Sequence, residues 1–167
     1  MQITTAMIKE LRDKTGAGVM DAKRALEEAK GDLAKAETVL FQKGVASASK
    51  RAGRETREGT IASYIHSGGR IGAMVELNCE TDFVARTAEF QEMARDLAMQ
   101  VAAMSPRFRD RDSVPADADP VRDEELLAEQ DFIKRPGAKI GDLVKELGAK
   151  TGENVQIGRF SRFELGE

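Results

Sequence analysis

The sequence predicts an α+β protein: an amino-terminal bundle of three helices, then a small antiparallel sheet of about three strands covered by helices. Three observations predict this class. Apolar residues recur at spacings of three and four in three segments before residue 50, as they do along one face of a helix. After Gly59 the apolar spacing changes to two, which is typical of strands. Helical spacing returns from Phe90 to Met104 and again from Ile140 to Lys150.

The amino-terminal part contains three short helical patterns separated by glycines. Each pattern has a cap or a first-turn carboxylate at its start and a glycine at its end. The starts are Thr4 or Thr5, Asp21 and Asp32, and the ends are Gly16, Gly31 and Lys43-Gly44. Helices of this length are not stable alone, so we expect them to pack on one another.

From Ser47 to Glu58 the composition shifts to alanine, serine and charged residues, with almost nothing bulky to bury. The sequence therefore predicts three parts: a helical bundle over residues 1–50, a basic linker over 51–58 that could itself be helical, and an α+β core over 59–167. The basic side chains of this region are Lys50, Arg51, Arg54 and Arg57. They could contact RNA phosphates, but acidic residues interrupt them and no aromatic residue lies among them, which favours a solvated helix face.

Two strands follow the linker. Ile61, Ser63 and Ile65 alternate with their neighbours, and a second alternating run extends from Ile71 to Cys79. The loop between the runs contains Gly68-Gly69, as a hairpin connection requires, so we expect the strands to be antiparallel. The helix from Phe90 to Met104 should then cover one face of the sheet.

The region between this helix and the last one differs in composition. All four prolines lie between residues 106 and 136, and residues 110–131 contain nine acidic side chains, which predicts an irregular, solvated connection. After the helix over Ile140–Lys150, a final strand contains Val155, Ile157, Phe160 and Phe163. Its alternation breaks between Ile157 and Phe160, where Gly158 suits a β-bulge.

Composition excludes several protein classes. The 26 basic and 29 acidic side chains give a net charge of −3, which argues against bulk nucleic-acid binding. No stretch approaches the roughly 20 apolar residues of a membrane span, and the start shows no secretory signal. Cys79 is the single cysteine, which excludes an internal disulfide and a cysteine-based zinc cluster. We expect a cytoplasmic protein without a metal site or a cofactor.

The sequence contains little that suggests catalysis. Gly16 and Gly18 lie between two helices and lack the preceding strand of a dinucleotide-binding motif. His66 and Cys79 could act as a base and a nucleophile, but each occurs without a local catalytic signature. We therefore interpret Cys79 as a core residue and His66 as a surface residue, and we expect that the protein is not an enzyme.

The segment that follows the second strand supports two interpretations. It runs Asn78-Cys79-Glu80-Thr81-Asp82-Phe83-Val84-Ala85-Arg86. Thr81 or Asp82 could cap a helix while Phe83 packs back on the sheet as a hydrophobic staple. Alternatively, Phe83 is presented to solvent as the anchor of an interface with another protein.

Several motifs together resemble the elongation factor Ts family, and the resemblance extends over almost the whole chain. They are residues 4–21, Lys50-Arg51-Ala52-Gly53-Arg54, Val75-Glu76-Leu77-Asn78-Cys79, Thr81-Asp82-Phe83-Val84-Ala85-Arg86 and Gly158-Arg159-Phe160-Ser161-Arg162-Phe163-Glu164. The resemblance implies a guanine-nucleotide exchange factor for the GTPase elongation factor Tu. It also implies that the three-helix bundle is like a ubiquitin-associated domain.

The resemblance assigns partner-binding roles to two groups of residues. The Asp82-Phe83 pair is expected to enter elongation factor Tu near its magnesium and phosphate site, flanked by Thr81 and Val84. The amino-terminal bundle is expected to hold the nucleotide domain through Arg12, Val19, Met20 and Lys23. A partner that binds the nucleotide-free GTPase better than the GDP form weakens GDP binding by the same factor, so no catalytic group is required.

The chain departs from the family pattern in its middle. Residues 105–139 form a shorter region than in many members with a single core, and a helical segment of the family is missing there. Single-core members form dimers, so a homodimer through the sheet-bearing part is expected. The alternative function is an RNA-binding accessory module of the translation apparatus, and a small acid–base enzyme is the third hypothesis. Phosphate contacts would make the affinity of an RNA-binding module fall steeply with salt.

Overall fold

The structure, a computed structural model, describes residues 3–167 apart from the side chains of Val45 and Ser49. The helices are α1 (Thr5–Thr15), α2 (Val19–Glu28), α3 (Leu33–Arg51), α4 (Asp82–Ala85), α5 (Ala88–Met104) and α6 (Ile140–Thr151). The strands are β1 (Glu58–Ile65), β2 (Ile71–Cys79), β3 (Asp131–Phe132), β4 (Arg135–Lys139) and β5 (Gln156–Glu164). Across residues 3–167, none of the helices has both the length and the apolar character needed to cross a membrane.

The amino-terminal bundle forms as the sequence predicts. The Thr4 hydroxyl accepts a hydrogen bond from the Met7 N–H at 3.3 Å, and α1 ends at Gly16, whose φ of 68° is left-handed. The three helices pack around small and medium-sized apolar side chains: Leu11, Ala22, Ala25, Leu26, Ala29 and Ala36. This core is small, which explains why the bundle also relies on contact with the rest of the chain.

That contact corrects one prediction. Gly44 does not end the third helix, because α3 continues without interruption to Arg51. A Cβ atom at position 44 would lie only 2.9 Å from the Cβ of Ala149 in α6, so the glycine permits close approach of the two helices. Arg51 also donates to the Gly148 carbonyl at 3.3 Å. The first residue of the predicted linker therefore belongs to α3, while the division at 1–50, 51–58 and 59–167 stays a prediction.

The main sheet has the order β1-β2-β5, with both neighbouring pairs antiparallel. Between the pairs Leu77–Ile157 and Val75–Phe160 the register shifts, so β5 carries the bulge predicted at Gly158. A Cβ atom at Gly158 would collide with the side chains of Glu76 and Asn78, which explains the glycine.

The two faces of this sheet differ. On the inner face, Val75, Leu77 and Cys79 are fully buried against α5 and the rest of the core. On the outer face, large apolar side chains stay exposed: Ile61, Ile65, Met74 and Phe163. Phe163 belongs to this face because the bulge reverses the alternation along β5. An antiparallel sheet covered on one face alone is common, but its open face is normally polar.

The connection between α5 and β3 is irregular, as predicted, yet it contributes to the core. Leu126 and Leu127 are completely buried, and Phe108 forms a parallel bridge with Leu126. The Arg107 guanidinium donates to Glu125 at 2.8 Å and lowers the pKa of that carboxyl to about 2, helped by the Arg122 N–H. This pairing stabilises the fold above the ordinary Glu pKa of about 4.3 and is lost as the pH falls towards 2.

The short hairpin of β3 and β4 was not expected from the sequence. Its anchor is Gln100 of α5, whose side chain is completely buried. The Gln100 amide donates to the Asp131 carbonyl and to Gln130, and its oxygen accepts from the Ile133 N–H, each at 3.1 Å. The hairpin delivers the chain to Ile140, the first residue of α6.

The contact between Gly44 and Ala149 yields a stability prediction. Gly44→Leu should lower the free energy of unfolding by about 1–2 kcal/mol, because overpacking of α3 against α6 outweighs the helix propensity gained. Urea denaturation of the wild-type and variant proteins measures the difference. Gly53→Leu is the control, since a Cβ atom there meets nothing within 4 Å. A Gly44→Leu protein as stable as the wild type would contradict close packing of the helices.

Candidate partner interface

The turn after β2 presents an aromatic side chain to solvent. The Thr81 hydroxyl caps α4 by accepting a hydrogen bond from the Val84 N–H at 3.4 Å. Val84 and Ala85 lie in the core with 6% and 5% of their surface exposed, whereas Phe83 is 79% exposed. One side of this single helical turn is therefore anchored in the core while the other carries Phe83 into solvent. We call residues 81–84 the α4 turn.

This geometry decides between the two interpretations of the segment. The capping role of Thr81 is confirmed, but Phe83 does not pack on the sheet as a staple. Val84 differs from Phe83 because its side chain is buried in the core, where it supports the turn from below. Its predicted part in partner contact stays a prediction.

Asp82 lies in the first turn of α4, where its carboxylate is favourably placed towards the helix amino terminus. It also forms an ion pair with Arg86 at 2.8 Å, and both side chains are largely exposed. An exposed pair of this kind contributes little to stability. The Asp82–Arg86 pair can therefore open at low energetic cost.

The second group of predicted residues lies on the amino-terminal bundle. Val19 and Met20, at the start of α2, are 50% and 57% exposed. The Arg12 guanidinium donates to the Ala17 carbonyl at 3.3 Å, which ties the end of α1 to the loop before α2. Lys23 lies one turn further along α2 and is 3.9 Å from Glu27. We call Arg12, Val19, Met20 and Lys23 the α2 patch.

The α4 turn and the α2 patch belong to different parts of the chain, but one loop contacts both the residue before the α4 turn and the segment that follows the bundle. Asn154, which is buried, donates its side-chain amide to the carbonyls of Ala52 and Arg54 at 3.3 and 2.8 Å. These carbonyls belong to the segment that joins α3 to β1. The backbone N–H of Asn154 donates to Glu80, immediately before the α4 turn, at 2.6 Å.

Glu153, the neighbour of Asn154, contacts the α4 turn directly. One carboxylate oxygen accepts from the N–H groups of Glu80 and Thr81 at 3.0 and 3.1 Å, and the other accepts from the Thr81 hydroxyl at 2.5 Å. Sequence reasoning missed this residue because it lies more than seventy positions from the turn that it contacts. A glutamate directly after Gly152 gives no local signal of such a role.

Three of the basic residues around the predicted linker, Arg51, Arg54 and Arg57, are paired within the protein, while Lys50 is exposed. Arg51 donates to the Gly148 carbonyl and to Ser47, Arg54 is 3.5 Å from Glu80, and Arg57 is 2.9 Å from Glu55. These pairings favour the interpretation as a structural and solvated face. The absence of direct nucleic-acid binding stays a prediction.

Cys79 and His66 show no arrangement for catalysis. Cys79 is completely buried, and its thiol donates to the Thr81 carbonyl at 3.1 Å. Burial raises the pKa of this thiol to about 11, with the Glu153 charge adding to the effect. His66 contacts the Tyr64 hydroxyl at 3.1 Å near the end of β1. Within the described part of the chain, no three acidic, histidine or cysteine side chains are grouped so that they could hold a metal ion.

Comparisons with known proteins identify relatives along the whole chain. The model of the family described as "Elongation factor TS" matches residues 22–125. Elongation factor Ts of Carboxydothermus hydrogenoformans is 49% identical over 195 aligned positions, which cover 99% of this chain and 90% of the relative. Elongation factor Ts of Thermotoga neapolitana is 45% identical, with 100% of this chain and 99% of the relative covered. That alignment is longer than the chain, so the relative has residues that this chain lacks.

The exposure of Phe83 predicts a small effect on stability. Phe83→Ala should change the free energy of unfolding by no more than about 0.5 kcal/mol, because an exposed side chain leaves no cavity. Phe90→Ala is the matched control: this phenylalanine is completely buried in α5, and its truncation should cost about 3–5 kcal/mol. Urea denaturation compares the two variants. A large loss in Phe83→Ala would restore the staple interpretation.

The environment of Cys79 predicts an unreactive thiol. At pH 8 the raised pKa lowers the thiolate fraction roughly 100-fold, and burial restricts access further, so a disulfide reagent should label the native protein far more slowly than the unfolded protein. The absorbance of the thiol that the reagent releases measures the labelling rate of the native and of the unfolded protein. Rapid labelling of folded protein would show that Cys79 is accessible and would reopen a reactive role.

Proposed function

The chain belongs to the elongation factor Ts family, a family of translation elongation factors, and we propose that it is a guanine-nucleotide exchange factor for elongation factor Tu. In this proposal, Asp82 and Phe83 enter elongation factor Tu near its magnesium and phosphate site and promote GDP release. The protein acts in the cytoplasm, where translation elongation takes place, and it has no catalytic residues.

The observation that carries the proposal is the exposure of Phe83 on an anchored turn. A large aromatic side chain that is 79% exposed gains little within its own protein. Held on a rigid support, the same side chain is well suited to fill a partner's pocket, because little conformational freedom is lost on binding. Thr81, Val84 and Ala85 supply that support through the cap and the core contacts.

Exchange by this route requires a difference in affinity instead of a chemical reaction. If the factor binds nucleotide-free elongation factor Tu more tightly than the GDP complex, GDP binding weakens by the same ratio. Phe83 supplies apolar contact area, and Asp82 brings a negative charge towards a site that holds a cation and phosphates. The buried, protonated Cys79 thiol has no part in this process.

The α2 patch is the second contact in the proposal. Val19 and Met20 offer exposed apolar surface beside two cations, Arg12 and Lys23, which suits a partner surface with an apolar centre and an acidic rim. A second contact adds affinity without a second pocket. It also orients the α4 turn towards the nucleotide site.

We further propose that the protein forms a homodimer through the outer face of its main sheet. Ile61, Ile65, Met74 and Phe163 form an apolar surface that residues 3–167 of one chain leave exposed. A face of this kind on an otherwise well-packed sheet is typical of an interface with another protein. Two such faces can pack together as the sheets of a β-sandwich do.

The exchange proposal predicts a clear effect of Phe83. The wild-type protein, in catalytic amounts, should accelerate release of labelled GDP from elongation factor Tu, and Phe83→Ala should weaken binding about 30- to 1,000-fold. Asp82→Ala should reduce exchange less. Met104→Ala, which truncates another exposed apolar side chain at the end of α5, is the control. Wild-type protein without effect on GDP release would refute the proposed function.

The dimer proposal predicts that a charge on the outer sheet face separates the subunits. Ile65→Glu and Phe163→Glu each bury charged carboxylates in the proposed apolar interface, so both variants should sediment as folded monomers while the wild type sediments as a dimer. Ile133→Glu is the control, because Ile133 is also exposed but lies in the β3–β4 hairpin. A monomeric wild-type protein would refute the dimer.

A further inference from the structure

We propose that Glu153 is a positioning residue for nucleotide exchange: it fixes the amino-terminal end of the α4 turn and thereby holds Phe83 in the orientation that the partner's pocket receives. The inference rests on the proposed function, since it assigns a role in the exchange reaction. It concerns a residue in a different part of the sequence from both predicted contact groups. It acts through the turn and touches no nucleotide.

One carboxylate accepts several hydrogen bonds at the start of the α4 turn. Glu153 accepts from the N–H groups of Glu80 and Thr81 and from the Thr81 hydroxyl. Hydrogen bonds to an ionised group are roughly twice as strong as those between neutral groups. The bonds fix both the backbone and the side chain of the residue that caps α4.

The α4 turn has little stability of its own. α4 contains four residues, Asp82–Ala85, and a helix of this length has no independent stability. Val84 and Ala85 fix its core side, but they do not fix the entry of the chain into the turn. Thr81 is exposed, so without Glu153 its N–H would face solvent. Glu153 thus adds three hydrogen bonds at the start of the turn, where the Cys79 thiol otherwise contacts only the Thr81 carbonyl.

The backbone geometry of the loop after α6 places Glu153 beside the α4 turn. Gly152 ends α6 with a left-handed φ of 74°, which reverses the chain direction. A Cβ atom at Gly148 would lie 2.9 Å from the Glu153 carbonyl, so only a glycine there lets the loop fold back this closely over α6. The return bond from the Asn154 N–H to Glu80 at 2.6 Å closes the connection from the other side.

These contacts separate positioning from global stability. The Glu153 bonds lie at the protein surface, while β2 and α5 hold the core through buried apolar side chains. Loss of the carboxylate should therefore leave the core intact and give the α4 turn more freedom. Phe83 would then enter its pocket from a broader set of orientations, which weakens binding in the exchange transition state.

The experiment compares Glu153→Ala with Glu153→Gln. Glu153→Ala should lower stimulated GDP release from elongation factor Tu roughly 10-fold, as expected for loss of hydrogen bonds to a charged group. Glu153→Gln should rescue most of the activity, because its amide oxygen still accepts from both N–H groups and its amide can donate to Thr81. Glu92→Ala, which removes an exposed glutamate from α5, controls for the change in net charge.

A second readout reports on the turn itself. Native-state amide hydrogen exchange, followed by NMR, should show faster exchange at Glu80 and Thr81 in Glu153→Ala and not in Glu92→Ala, with the buried amides of β2 unchanged. A purely structural role would instead accelerate exchange across the core and lower the melting temperature in parallel with the activity. Unchanged protection at Glu80 and Thr81 would overturn the inference.

A double-mutant cycle tests whether Glu153 acts through Phe83. Once Phe83→Ala has removed the anchor, Glu153→Ala should cause little further loss of exchange activity, because the two residues contribute to the same contact. Equal losses in both backgrounds would show that Glu153 acts independently and would overturn the inference. If the wild-type protein failed to stimulate GDP release, the proposed function would be refuted. The amide hydrogen-exchange result would still decide whether Glu153 holds the turn.

Discussion

The burial of α6 on two sides is the constraint on which the rest of the structure depends. Its apolar residues, among them Leu143, Val144 and Leu147, lie in the core, while Ala149 receives α3 at the position of Gly44. The end of α6 is therefore fixed both to the core and to the amino-terminal bundle. The loop that leaves this end carries Glu153 to the α4 turn and Asn154 to the segment before β1. Through these contacts α6 fixes the elements next to the α4 turn and next to the bundle that carries the α2 patch.

The fold places its exposed apolar side chains where their support is firm. Phe83 stands above Val84 and Ala85, Met20 lies on a helix whose opposite face is buried, and Ile65 lies on a strand of the main sheet. Scattered apolar residues on a surface are ordinary, so exposure alone does not mark a contact. These three surfaces lie on well-packed elements, and this firm support is what the proposed contacts with other molecules rest on.

The sequence predicts what local patterns determine. The limits of β2 and the bulge at Gly158 follow from alternation and from a single glycine, and the three helices of the bundle follow from spacing and caps. Gly44 misleads because a glycine can either stop a helix or admit a neighbouring one, and only the position of Ala149 decides. Leu126 and Leu127 are buried, but acidic neighbours in the sequence mask their apolar pattern. Glu153 contacts a turn that lies more than seventy positions away in the sequence. Long-range contacts of this kind have no signature within a short window.

The fixed position of α6 explains how the chain can be shorter than its relatives. The prediction from the sequence places the missing residues between Ser105 and Lys139, a connection that here buries Leu126 and Leu127 and then enters the β3–β4 hairpin. The side chain of Gln100 fastens the hairpin backbone to α5 through hydrogen bonds with Asp131 and Ile133, so α6 begins at a defined place whatever precedes the hairpin. Because the supports of the α4 turn extend from the far end of α6, a shorter connection leaves them in place. The length of this region is therefore separable from the presentation of Phe83.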